Sequence, residues 1–139
     1  MKRRLPWLLV LMMALSACES GTQAPDARTD PRARAVATGF LDALISGDIA
    51  KALEYESSDG PSEADLTELH GRLVDGNFRI VGPVVFSAEA GFGGIAPGYE
   101  IGMRGLQGQM ELGWKFTAFI AWESGEWRVA GYQIYASGP

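Results

Sequence analysis

Proton chemistry needs an ionisable side chain held away from water, and this chain offers few. Its one histidine, His70, follows Leu66 and precedes Val74 at four-residue spacing, on the edge of an apolar helical stripe. It serves there either as a half-buried helix residue with its polar edge in water, or as a general base or proton sensor beside a pocket. Asp65, Glu68 and Asp75, its nearest acidic neighbours in sequence, fall mostly on the solvated face. Glu100 and Glu111 lie in strand-like sequence. A carboxylate turned into an apolar pocket has a raised pKa and can accept a proton. Glu100 shares a face with Arg104, four residues on, and a pair facing solvent accounts for both. No catalytic residue is assigned; His70, Glu100 and Glu111 are the candidates.

Cofactor signals are absent. Cys18 is the only cysteine, so it can close no disulfide within the chain and complete no thiolate metal set. No His-Glu-x-x-His pair, Gly-Lys-Ser/Thr phosphate loop or Gly-x-Ser-x-Gly elbow occurs. Gly91-Phe92-Gly93-Gly94-Ile95-Ala96 spells a Gly-x-Gly-x-x-Ala fingerprint. A dinucleotide site needs a helix directly after it, and Pro97-Gly98 followed by a strand stands there instead. The stretch is expected to be a loop able to close over a pocket. No metal and no cofactor is expected.

The elements that position these residues come in two blocks. Asp30-Pro31 is a helix start, cap then first-turn proline, with Val36, Phe40, Leu41 and Leu44 at helical spacing and Gly47 as the stop. Asp48 caps a second, short helix carrying Ile49, Ala52, Leu53 and Tyr55, broken by Ser58-Asp59-Gly60-Pro61. Ser62 with Asp65 forms an Asp-type capping box for a third, whose stripe is Leu66, Leu69, Leu73 and Val74 and whose end is Gly76-Asn77. From Phe78 the apolar period becomes two. A strand kinked near Gly82-Pro83 and a second over Tyr99, Ile101 and Met103 precede a turn or bulge at Gly105 to Gly108.

Two long strands, about 109–122 and 127–136, close the chain as a hairpin. A Ser124-Gly125 loop pairs Trp122 with Trp127, Ile120 with Val129, Ala118 with Gly131, Phe116 with Gln133 and Trp114 with Tyr135. On this register Trp114, Phe116, Ile120, Trp122, Trp127, Val129, Gln133 and Tyr135 share one aromatic face and are the expected pocket lining. Gln133 is then its polar handle, or a strand residue bonded to neighbouring backbone. Helices packed on that face give a two-layer α+β domain.

The beginning of the chain carries an address. Lys2, Arg3 and Arg4 precede an uncharged, mostly apolar run from Leu5 to Ala17. That run is shorter than the ~20 helical residues needed to span a bilayer, and reads as an export signal. Leu15-Ser16-Ala17-Cys18 resembles a bacterial lipoprotein box, which implies a diacylglyceryl group on the Cys18 thiol and cleavage before it. Residues 1–17 are then the signal peptide. Residues 18–30 are the lipidated Cys and a flexible tether with no large apolar side chain. Residues 31–139 are the domain. Cleavage removes three basic residues and lowers Lys plus Arg from 12 to nine against 17 acids, a formal charge of −8. Nucleic acid is an unfitting partner for that balance. The expected place is the bacterial cell envelope, lipid-anchored, with the domain facing the periplasm. Glu19 rather than Asp after the cysteine favours the outer membrane.

The stretch from Ala37 to Leu53, with Gly47-Asp48 closing one helix and Ala52-Leu53 in the next, resembles the opening of nuclear-transport-factor-2-like domains. The Trp122 to Val129 hairpin, with its Gly-Glu-Trp-Arg-Val run, resembles their last long strands, and the likeness covers residues 32–136. It implies an α+β cone, with N-terminal helices packed in the concave face of a curved antiparallel sheet and a pocket at the open end. The family includes ketosteroid isomerase, cyclases of the SnoaL type, dehydratases and binding or assembly modules, so fold does not decide function. The expectation is a membrane-anchored lipoprotein whose cone binds a small apolar ligand or an envelope protein partner, without catalysis. The alternatives are an isomerase- or cyclase-like enzyme using a pocket carboxylate or His, and an assembly subunit that homodimerises through its sheet.

Overall fold

The computed structural model describes residues 23–139. Cys18, the expected signal peptide and the first part of the expected tether lie outside the described residues. Helix α1 spans Pro31–Ser46, α2 Ile49–Tyr55 and α3 Glu63–Asp75. Strands β1 (Arg79–Ala90), β2 (Ala96–Gln107), β3 (Met110–Glu123) and β4 (Glu126–Gly138) follow, and pair in that order as one antiparallel sheet.

Helix ends fall where local chemistry sets them. The Asp30 carboxylate accepts from the Arg32 amide with Pro31 at the first position, and Gly47 ends α1 in the left-handed region at φ 81°. Asp48 accepts from the Lys51 amide to start α2. Ser62 and Asp65 make the reciprocal capping box on α3. Val74 departs from the expected stripe and is exposed, because α3 buries only Leu66, Leu69 and Leu73.

The core lies between the helices and one face of the sheet. Phe40, Leu41, Leu44, Leu66 and Leu69 meet Ile101, Met103, Phe116, Ala118 and Val129, all buried. Phe40 lies 6.2 Å from Phe116 between ring centroids, and Tyr132 stacks on Phe116 at 5.8 Å. These rings fill the interior of the curve, so open space is left only at its edges. Non-directional burial of this kind dominates the stability of such a domain.

The closing hairpin departs from the simple register twice, at Ala130 and again at Ser137 near the end of β4. Trp122 pairs with Trp127 and Ile120 with Val129, but Phe119 then pairs with Gly131. Ala130 is an extra residue, a β-bulge, and beyond it the side chains of β4 as far as Ala136 change face. Ala118 meets Tyr132, Phe116 meets Ile134 and Thr117 meets Gln133. Gln133 and Tyr135 therefore leave the helix-covered face, and Tyr132 and Ile134 replace them.

Candidate functional site

A cleft runs along α3 where it faces the sheet, in two halves that share Leu69 and Arg72. The half toward the C-terminal end of α3 has a volume of about 400 Å³ and is lined chiefly by Leu69, Leu73, Phe78, Leu106, Trp114 and Ile134. Phe78 forms its floor because two glycines make room: a Cβ on Gly76 or Gly105 would come within 2.3 or 2.6 Å of the ring. Trp114 meets Phe78 edge-on at 5.1 Å, and its indole N–H donates to the Gly105 carbonyl at 3.2 Å. Arg72 and Asp75 stand at the rim. Among the described residues no carboxylate forms an ion pair with Arg72.

The other half, about 430 Å³, is polar and acidic, with Asp59, Asp65, Glu68 and Tyr132 among its lining. Beside it sits Glu56, the residue that ends α2. A parallel bridge to Val129 and the Ser57 amide on the Val129 carbonyl at 2.9 Å hold this segment against β4. The Glu56 side chain packs by Gly60, and its Oε1 is buried without a hydrogen-bond partner. Burial, with the Asp65 charge adding to it, pushes the Glu56 carboxyl up to about 7. Burial likewise raises the Tyr132 phenol. A carboxyl half-ionised near neutral pH can take and return a proton. No local signal marks Glu56 in the sequence, since the strand that shelters it lies about 70 residues downstream.

The sequence candidates lie elsewhere. His70 turns toward α1, where its Nδ1 pairs with the Leu44 carbonyl at 2.6 Å and its Nε2 lies under Gly47, so it tethers the end of α1. Glu100 is on the outer face, 3.9 Å from Lys115 Nζ and accepting from the Tyr135 hydroxyl at 3.3 Å. Glu111 pairs with Arg79 and, at 3.7 Å, with Arg104; those contacts hold its carboxyl below the usual range. Phe116, Ile120 and Val129 are buried core rather than pocket wall, Trp127 is buried but borders the hollow beside the β3–β4 turn, and of the expected lining only Trp114 reaches the cleft. Trp122 packs edge-on against Trp127 at 5.1 Å. Gln133 and Tyr135 do not line the cleft, because the bulge turns them outward. The Gly91 to Ala96 loop is not a lid over the cleft: Gly91 lies against the Phe119 ring on the outer face, at the opposite end of the sheet from the apolar half.

A larger hollow of about 740 Å³ lies between α1, α2 and the β3–β4 turn. Its cations are already engaged: Arg32 with Asp30, Arg128 with Glu126, and Lys51 near Glu54 at 3.9 Å. Among the described residues no group of three or more His, Cys, Asp or Glu side chains could hold a metal ion, and no helix is long and apolar enough to cross a membrane.

Solved structures supply the comparison. A nuclear-transport-factor-2-like protein from Burkholderia xenovorans aligns over 79% of this chain and 92% of its own, at 13% identity and a TM-score of 0.50. The chain has the nuclear-transport-factor-2-like fold. A ketosteroid isomerase-like protein from Erwinia carotovora atroseptica aligns over 76% of this chain and 93% of its own, at 16% identity and a TM-score of 0.45. No protein-family model and no curated protein matches the chain. Within the nuclear-transport-factor-2-like fold this chain fills the interior of the curved sheet with Phe116, Tyr132 and Phe40, and leaves open space along α3 and beside the β3–β4 turn.

Proposed function

We propose that this protein is a lipid-anchored envelope lipoprotein whose domain binds a small apolar molecule bearing an anionic group. The observation that carries the reading is the α3 cleft: an apolar seat of Leu73, Phe78, Trp114 and Ile134, with Arg72 unpaired at its rim. Pockets of this kind bury the body of a ligand and orient it with a few polar groups. A guanidinium offers a planar fork suited to carboxylate, sulfonate or phosphate. The anchor rests on the Leu15 to Cys18 box and its flanking signal.

Calorimetry with a naphthalene sulfonate tests the site, because that probe joins an apolar body to one anion. Trp114→Ala should abolish measurable binding, and Arg72→Gln should weaken it about tenfold, the value of one charge-assisted contact of ~1.4 kcal/mol. Binding that is unchanged in both variants overturns the assignment. Cys18→Ala should move the protein out of the membrane fraction, and full retention overturns the anchor.

Glu56 favours a second reading, proton-transfer catalysis on the molecule so bound. Its carboxyl, at about 7, matches the working pH of a general base. Glu56→Gln should then abolish turnover while leaving probe affinity in place, and turnover that survives the substitution sinks this reading.

A further inference from the structure

We propose that the loop from Gly91 to Ile95 is a membrane-contact tip, which dips into the surface of the bilayer that holds Cys18. The inference rests on the lipid-anchor reading above. Phe92 is 80% exposed and Ile95 60%, two large apolar side chains close together at the end of one hairpin. The loop is braced outward rather than collapsed. The Phe92 amide donates to Gln133 Oε1 at 2.8 Å, the Ile95 amide to the Ala90 carbonyl at 3.0 Å, and Gly91 lies against the Phe119 ring. Gly91, Gly93 and Gly94 all adopt positive φ, so the turn that presents Phe92 is fixed by its backbone.

Position decides what the tip meets. The chain enters the domain at the same end of the sheet: the Ala27 carbonyl accepts from the Tyr99 hydroxyl at 2.7 Å, and the Arg28 guanidinium lies 5.4 Å from the Phe86 ring centroid. Phe86 and Tyr99 are paired on β1 and β2, a few residues below the loop. Between Cys18 and Arg28 the chain reaches at most about 35 Å fully extended. The tether therefore keeps this end toward the bilayer, while the apolar half of the α3 cleft, beside Gly108 and Gly76, faces away. Aromatic and aliphatic side chains of this size partition into the interface between headgroups and acyl chains. Glu89, packed under Gly94, leaves the base of the loop polar, so the insertion is shallow.

The test uses the full lipidated chain in vesicles of phosphatidylethanolamine and phosphatidylglycerol. An environment-sensitive fluorophore is placed on Phe92→Cys, with Gln107→Cys at the far end of the sheet as control. The label at 92 should shift to the blue and be quenched by brominated acyl chains, and the label at 107 should report water. Substituting Ile95→Ser in the labelled chain should reduce both effects at 92 at least twofold. A label at 92 that reports water, on protein that floats with the vesicles, overturns the tip and leaves the anchor standing. Shielding that brominated lipid does not quench and that grows with protein density assigns the loop to a second copy, and overturns the proposal too. Mass spectrometry that finds no lipid on Cys18 overturns the anchor, and the membrane tip with it.

Discussion

The two halves of the cleft share Leu69 and Arg72 and differ in almost everything else. Toward the C-terminal end of α3 the helix faces Phe78, Trp114 and Ile134, where two glycines let the Phe78 ring settle into the sheet. Toward the N-terminal end it faces the α2–α3 connection and carries Glu68 and, in its first turn, Asp65, an acid suited to the positive end of the helix dipole. One half can seat an apolar body and the other can hold and move a proton. On the proposed reading α3 seats an apolar body toward its C-terminal end, while the titrating group, Glu56 at the end of α2, sits beside its N-terminal end.

The bulge at Ala130 supplies one side chain to each half, Tyr132 to the acidic one and Ile134 to the apolar one. Deleting Ala130 should have the largest effect of all. Tyr132 and Ile134 would turn outward, and Gln133 would turn into the core without a partner. Losing a large core side chain costs about 2–5 kcal/mol and burying an unpaired polar group about 1–3 kcal/mol. Together they approach the whole stability of a domain this size, about 5–15 kcal/mol. The deletion should therefore leave no cooperative denaturant transition. A native midpoint would show that the hairpin can change register freely, and the two-sided role of the bulge would fall.

That residue also marks where the sequence stops being readable. Helix ends were legible because caps act locally: Asp30, Asp48, Ser62 with Asp65, and Gly47 each bond to their own turn. Hairpin pairing was legible as far as Val129, where alternation carries the register out from the Ser124-Gly125 turn. Ala130 has no side-chain signal for a bulge, and every assignment after it inverts. Of the candidate site, Trp114 was visible as an aromatic in a strand. Glu56 was not, since its pKa comes from burial by a distant strand and from Asp65, and that Arg72 forms no ion pair with the acids beside it on α3 depends on side-chain placement that spacing does not show.

The acidic half can be tested by pH. The Glu56 carboxyl stands at about 7 in the folded chain, above its ordinary 4.5, so folding favours its protonated form. Between those values the native state binds more protons than the unfolded state, and stability falls as pH rises. Asp65 and Glu111 are held low and act with the opposite sign, but only below the ordinary carboxylate range. Glu56→Gln should flatten the loss of stability between pH 5 and 8, by no more than about 2 kcal/mol because solvent screens a partly sheltered group. Denaturant midpoints at those two pH values measure it. A slope identical in the variant would leave the acidic half without its titrating residue.

The smallest expected effect concerns the outer face, which separates a carboxylate that matters to the cleft from one that does not. Glu100 sits between Lys115 at 3.9 Å and the Tyr135 hydroxyl at 3.3 Å, and exposed ion pairs of this kind contribute less than about 1 kcal/mol. Glu100→Gln should therefore shift the unfolding midpoint little and leave probe binding at Trp114 unchanged, because the sheet backbone lies between the two sites. It should still move one local quantity. The Tyr135 phenol is raised first by burial and then by the Glu100 charge, so removing that charge lowers it while burial keeps it above its ordinary 10. Ultraviolet titration of tyrosine ionisation reads that shift. If Glu100→Gln also weakened probe binding, the two faces of the sheet would be coupled, and the cleft could no longer be treated as a site that α3 and the inner face build alone.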